Sequence, residues 1–95
     1  MAFDVIIVGA GLAGLTCAYD AVQAGLRVAI VHQDAVDRSS SSYAQGGIAA
    51  AWHADDSAML HIEDTMMAGA GLSDPSVVQF FCHKAKDLLR FYIDL

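Results

Sequence analysis

The chain is poor in positive charge, in cysteine and in proline, and it holds no apolar run long enough to cross a bilayer. Arg27, Arg38, Lys84, Lys86 and Arg90 are scattered against 11 acidic residues, for a net charge of −6. Nucleic acid needs a clustered basic surface, so that class of partner is excluded. The two cysteines, Cys17 and Cys82, lie far apart within apolar helical patterns, without the paired spacing of a zinc site or a secreted disulfide framework. They are expected to be buried, reduced thiols. No residue between Asp4 and Asp20 is charged, yet this stretch of about 15 residues falls short of the roughly 20 that span a membrane. It follows an acid rather than a Lys or Arg, and glycines interrupt it as a turn would, so it does not read as a secretion signal. The expected location is cytoplasmic, with no membrane partner.

What the chain does have is apolar residues, 56% of its 95. That exceeds the roughly 45 to 50% of an average soluble domain. A length of 95 residues allows one domain at most, and a complete dinucleotide-binding fold needs more strands than this. The expectation is an incomplete α/β fold, part of something larger.

Phe3 to Val8 is a nearly continuous, β-branched run ending at glycine, as a strand buried on both faces does. Leu12 to Ala24 follows with Leu15, Ala18, Tyr19 and Val22 at helical spacing, and Gly25 stands where a left-handed cap belongs. Arg27 to Val31 is the second strand, which completes the minimal parallel β-α-β crossover. Residues 33–43 are polar and read as a loop. The Asp55-Asp56-Ser57 cluster offers an N-cap for a helix to about Ala68 that carries Met59, Ile62 and Met66 on one face. Asp74 and Pro75 are an N-cap and first-turn pair for a last helix. There Val78, Phe81, Ala85, Leu88 and Tyr92 form the apolar side, while Gln79, His83, Lys86 and Arg90 form the polar one.

Between the first strand and its helix lies Gly9-Ala10-Gly11-Leu12-Ala13-Gly14, the GxGxxG pattern. A diphosphate needs close backbone approach and partial positive charge, and a helix start supplies both through unpaired N–H groups and its dipole. Gly9 permits the tight turn, Gly11 the approach of the phosphates, and Gly14 the packing of helix on strand, while the amides of Gly11 to Ala13 point at the ligand. The pattern does not separate FAD from NAD. The usual arbiter is an acid at the end of the second strand that grips the ribose, and that place holds His32, followed by Gln33 and Asp34. Any of the three can hydrogen-bond a ribose, and a solvent-facing strand end is the alternative.

The stretch Ser40-Ser41-Ser42-Tyr43-Ala44-Gln45-Gly46-Gly47-Ile48-Ala49-Ala50 resembles the flavin loop of the succinate dehydrogenase and fumarate reductase flavoprotein superfamily. Asp56-Ser57, His61-Ile62-Glu63-Asp64-Thr65, Ala68-Gly69-Ala70-Gly71-Leu72 and Asp74 extend that resemblance, specifically to its L-aspartate oxidase branch, over nearly the whole chain. The resemblance implies a Rossmann-like FAD-binding fold of which residues 1–95 form the N-terminal part, with the substrate-capping domain outside them. Respiratory members attach FAD through a histidine six residues before the Gly-Gly pair, where this chain has Ser40, so noncovalent FAD is implied. Ser40, Ser41 and Ser42 can donate to phosphate or ribose oxygens, and the bare backbone of Gly46 and Gly47 suits a flat flavin ring.

The implied reaction is hydride transfer from the Cα of L-aspartate to flavin N5, giving iminoaspartate, with reoxidation by oxygen or fumarate. The product feeds quinolinate and NAD synthesis, which makes quinolinate synthase a pathway partner. A dicarboxylate calls for arginine forks. Arg27 starts the second strand, away from the carboxyl edge where ligands bind; Arg90 is on a polar helix face, and Arg38 is isolated and reads as a solvated surface charge. Catalytic residues are therefore expected outside this chain, and none is assigned. His53 and His61 lack zinc spacing, so no metal site is assigned either. Trp52 reads as packing, and Glu63 and Asp64 as helix surface. A fumarate reductase or succinate dehydrogenase flavoprotein, and a noncatalytic nucleotide-binding module, are the alternatives.

Overall fold

In the computed structural model two parallel strands and their connecting helix precede a one-turn helix and an α-helical pair. The structure describes every residue except Asp34, Val36, Asp37 and Gln45. The order is β1 (Val5–Val8), α1 (Leu12–Gln23), β2 (Val28–Val31), α2 (Ser40–Tyr43), α3 (Ala58–Ala68) and α4 (Pro75–Asp94). They fall into two units, Met1–Gly46 and Gly47–Leu95.

In the first unit β1 and β2 pair in parallel, with Val5 opposite Val28 and Val8 opposite Val31. Parallel pairing demands a crossover, and α1 supplies it by packing on both strands. The helix stops where Gly25 takes a φ of +79. Its N–H donates to Val22 O and that of Leu26 to Ala21 O, a Schellman closure. At the amino edge of the strands Asp4 holds Arg27 twice over. Its carboxylate accepts from the Arg27 main-chain N–H at 2.8 Å and from the guanidinium Nε at 3.2 Å. The Arg27 side-chain hydrogen bond, and then the main-chain one, keep the Asp4 carboxyl below its ordinary value.

Three expectations about faces and loops are corrected here. On α1 Ala18 is buried and Gly14 and Ala21 are half-buried, whereas Leu15, Tyr19 and Val22 are exposed. Small residues let the helix backbone approach the sheet, and the larger side chains flank that contact. Cys17 is exposed, because the same facing turns it outward. The expected loop over residues 33–43 contains α2, whose single turn is capped by Ser39, its Oγ accepting from the Ser42 N–H at 3.1 Å.

In the second unit α3 and α4 pack around Ile62, Val78 and Cys82, with Met66 against them. Met59, in the first turn of α3, stays exposed. The inward seam of α4 runs through Val78, Cys82, Ala85, Leu89 and Tyr92. Phe81 and Leu88, expected inside, are exposed and flank it, since the seam that meets α3 is turned by one residue. Ser57 caps α3 by accepting from the Leu60 N–H at 3.2 Å.

Asp74 caps α4, its Oδ1 accepting from the N–H of Ser76 at 2.8 Å and of Val77 at 3.3 Å and from the Ser76 hydroxyl at 2.6 Å. The Ser76 hydroxyl first, and the two amides after it, hold the Asp74 carboxyl below the ordinary 3.8. A depressed folded-state value means that this capping stabilises the helix at neutral pH and is lost as pH falls through and below 3.8. The protection factors of the Ser76 and Val77 amides, taken relative to the intrinsic exchange rate at each pH, are expected to fall over that acid range. Asp74→Asn, which caps without charge, should flatten that pH dependence, whereas Asp74→Ala should expose both amides at every pH.

Candidate functional site

The parallel strands end side by side, and the chain leaving each of them turns toward one cavity of about 510 Å³. Gly9, with φ +111, makes the turn out of β1, and its N–H donates to Val31 O at 2.8 Å, tying that turn to the end of β2. Residues 9–11, Gln33 and residues 38–41 line the cavity. It thus sits at the carboxyl edge of the sheet, where open α/β folds place their ligands.

One hydrogen bond joins the two motifs. The Leu12 N–H, a donor left over at the start of α1, donates to Ser41 Oγ at 2.9 Å. The Ser41 hydroxyl keeps its own proton for a further acceptor. A Cβ on Gly11 would stand 3.2 Å from the same oxygen, so the serine loop lies close against a bare backbone. Further along, Gly14 lies where a Cβ would meet the Gly9 carbonyl oxygen and Ile7. The turn is therefore pressed onto the helix it feeds.

The donor set suits an anion. Ser39, Ser40, Ser41, Gln33 and Arg38, each with a donor side chain, line the cavity beside Gly9, Ala10 and Gly11, and among the described residues no Asp or Glu does. A diphosphate carried on an adenosine fits such a lining: it offers oxygens to each of these groups and meets no like charge. Among the described residues, no group of three His, Cys, Asp or Glu side chains is placed to hold a metal ion.

The structure brings Gly9, Ala10, Gly11, Gln33, Ser40 and Ser41 together around this space, with Leu12 attached through Ser41. Ala13 and Gly14 follow in the first turn of α1. His32 is half-buried and does not line the cavity; of the residues after β2 it is Gln33 that does. Ser42 is engaged with Ser39, their hydroxyls 2.9 Å apart. Tyr43, Ala44 and Gly46 are exposed and do not line the cavity. Gly47 opens the second unit, and Gln45 and Asp34 fall outside the described residues.

Sequence reasoning missed Arg38 and Ser39, both in the lining. The spacing Ser39-x-x-Ser42 was the available signal: a capped turn there swings Arg38 and Ser41 into one neighbourhood. A second cavity, of about 310 Å³, lies within the other unit and is lined largely by apolar side chains such as Val78, Phe81 and Leu88. It offers few groups to a phosphate.

Comparison with known proteins places these features in a family. Residues 4–95 match the FAD binding domain family. The L-aspartate oxidase of Nostoc sp. is 46% identical over 98% of this chain and 16% of its own length. Those of Streptomyces coelicolor and Vibrio cholerae are 42% and 38% identical, over 95% and 96% of this chain and 16% and 17% of their own lengths. The chain thus spans about a sixth of the length of these relatives. With the turn and serine loop of the cavity inside a match that runs over almost all of it, the chain belongs to the FAD binding domain family, and FAD is its cofactor.

Proposed function

We propose that residues 1–95 are the opening part of a Rossmann-like FAD-binding domain, and that the whole protein oxidises L-aspartate to iminoaspartate in the cytoplasm. What supports the cofactor half is one juxtaposition, the Gly9 to Gly11 turn and the Ser39 to Ser41 loop lining one space at the ends of two parallel strands, with no carboxylate in that lining among the described residues. What supports the substrate half is the likeness to L-aspartate oxidases. Quinolinate synthase is then the pathway partner that consumes the product.

When bound, FAD supplies a two-electron acceptor; the work of this chain is to hold it. The amides at the start of α1 and the hydroxyls of Ser40 and Ser41 would take the diphosphate, and Gln33, in the same lining, would take the adenosine ribose. Ser40 carries a hydroxyl where covalent attachment requires an imidazole, so the cofactor is held noncovalently. No side chain here is assigned to the dicarboxylate or to proton transfer. Among the described residues, no helix is long and apolar enough to cross a membrane.

The whole protein, purified from its source, should be yellow, release FAD into the supernatant on acid precipitation and form hydrogen peroxide with L-aspartate. A colourless protein, or one inert toward L-aspartate, would overturn the reading. Flavin that stays on the denatured polypeptide would move it to the respiratory branch.

A further inference from the structure

We propose that Ser41 is a positioning residue for the cofactor, the N-cap of α1 supplied by a separate loop, an inference that rests on the cavity between the glycine turn and the serine loop being the FAD site. The other three helices are capped by the residue before them, since Ser39, Ser57 and Asp74 each accept from amides of the turn they start. α1 differs. The residue in its cap position is Gly11, which has no side chain to accept with. The first helical bond runs from the Leu15 N–H to Gly11 O at 3.0 Å, so the N–H groups of Leu12, Ala13 and Gly14 are left over. Ser41 Oγ accepts from the first of these at 2.9 Å.

The ligand gives the reason for a displaced cap. A diphosphate comes close to a helix start only over bare backbone, which rules out a Ser, Thr or Asp side chain at position 11. Even a Cβ there would stand 3.2 Å from Ser41 Oγ. A cap carried by another segment resolves the conflict, because it satisfies one amide and leaves those of Ala13 and Gly14 to the phosphates.

Ser41 holds this place because its own turn is fixed without the ligand. Ser39 Oγ accepts from the Ser42 N–H at 3.1 Å and lies 2.9 Å from the Ser42 hydroxyl, and the same N–H reaches Ser39 O at 3.0 Å. The turn presents Ser41 to Leu12 ready-made. The serine loop and the helix start are thus joined before FAD arrives, so the cost of ordering them falls on folding and not on binding. Having accepted from Leu12, the Ser41 hydroxyl keeps its proton, which has no acceptor among the described residues. Accepting one hydrogen bond makes that O–H a stronger donor to an anion.

The test uses the whole protein at its natural length, stripped of flavin. It reads hydrogen exchange in the first turn of α1 before FAD is added, and then the rates of FAD binding by quenching of flavin fluorescence. In flavin-free Ser41→Ala the Leu12 amide and the turn behind it are expected to exchange about fivefold faster than in the parent, the effect of a lost cap. FAD should bind about tenfold more weakly, most of the loss being a slower association, as befits a site no longer joined in advance. Ser41→Thr keeps the hydroxyl and should restore both. The melting temperatures of both variants should stay close to the parent's, since the bond from Leu12 to Ser41 is exposed. Unchanged exchange in flavin-free Ser41→Ala overturns the inference, because affinity lost without it would make Ser41 a direct ligand only. Ser41→Ala that binds FAD as tightly as the parent overturns it too, and a parent with no affinity for FAD overturns the site itself.

Discussion

Gly14→Ala is expected to cost the protein about 2 to 4 kcal/mol of stability and to weaken FAD binding by about a hundredfold or more. The added Cβ would overlap the Gly9 carbonyl oxygen and stand 3.0 Å from the Gly9 carbonyl carbon. Both atoms are backbone, so no rotamer change relieves the clash. Either α1 lifts off β1, which undoes the packing of α1 on the sheet, or the Gly9 turn moves. The second course drags the turn's φ of +111 and its hydrogen bond to Val31 O out of place, and with them the floor of the cavity. Gly46→Ala is the contrast: a Cβ there meets nothing within 4 Å, and its melting temperature should match the parent's. Thermal denaturation with and without FAD, run on both variants, separates the two expectations. A Gly14→Ala protein that melts and binds like the parent would remove the close helix–strand contact from the account.

The 95 residues alone, prepared as an isolated polypeptide, should self-associate and melt without a sharp transition. β1 and β2 form a sheet of two, so among the described residues each has one edge without a strand beside it. The face of β1 away from α1 presents Ile6 and Val8, which are 65% and 85% exposed. An apolar, unpaired strand of this kind is a template for another chain. In the second unit Leu72, Phe80 and Phe81 are exposed as well, and the buried set there is small. Two-stranded sheets are marginal in water without further cover. Light scattering that rises with concentration, strong binding of a hydrophobic dye and a broad melt are the expected results, with FAD affinity well below that of the whole protein. A sharp two-state melt with dispersed amide resonances would contradict them.

Element type and punctuation were legible along the chain because they depend on neighbours in sequence. Gly25 marks its own cap, Ser57 and Asp74 start their helices through hydrogen bonds that reach only two or three residues on, and Pro75 fits a first turn that needs no N–H there. Faces were less legible. On α4, positions 78, 81, 85 and 88 satisfy helical spacing as well as 78, 82, 85 and 89 do. Which set goes inward depends on where α3 lies. On α1, hydrophobic periodicity selects Leu15, Tyr19 and Val22, but contact with a sheet rewards small side chains, and the bulky ones end outside.

The candidate site divides along the same line. Sequence by itself determined the glycine turn, the serine run, the parallel crossover between them and the absence of an acid just after β2, because each is a local pattern with a local cause. Tertiary structure alone decided that Ser41 reaches Leu12 across 29 positions of chain, and that Gln33 rather than His32, and Arg38 with it, enter the lining. The reason is physical. A hydrogen bond or a charge acts through distance in space, and that distance is set only when β1 and β2 pair and bring the loops at their carboxyl ends to one edge.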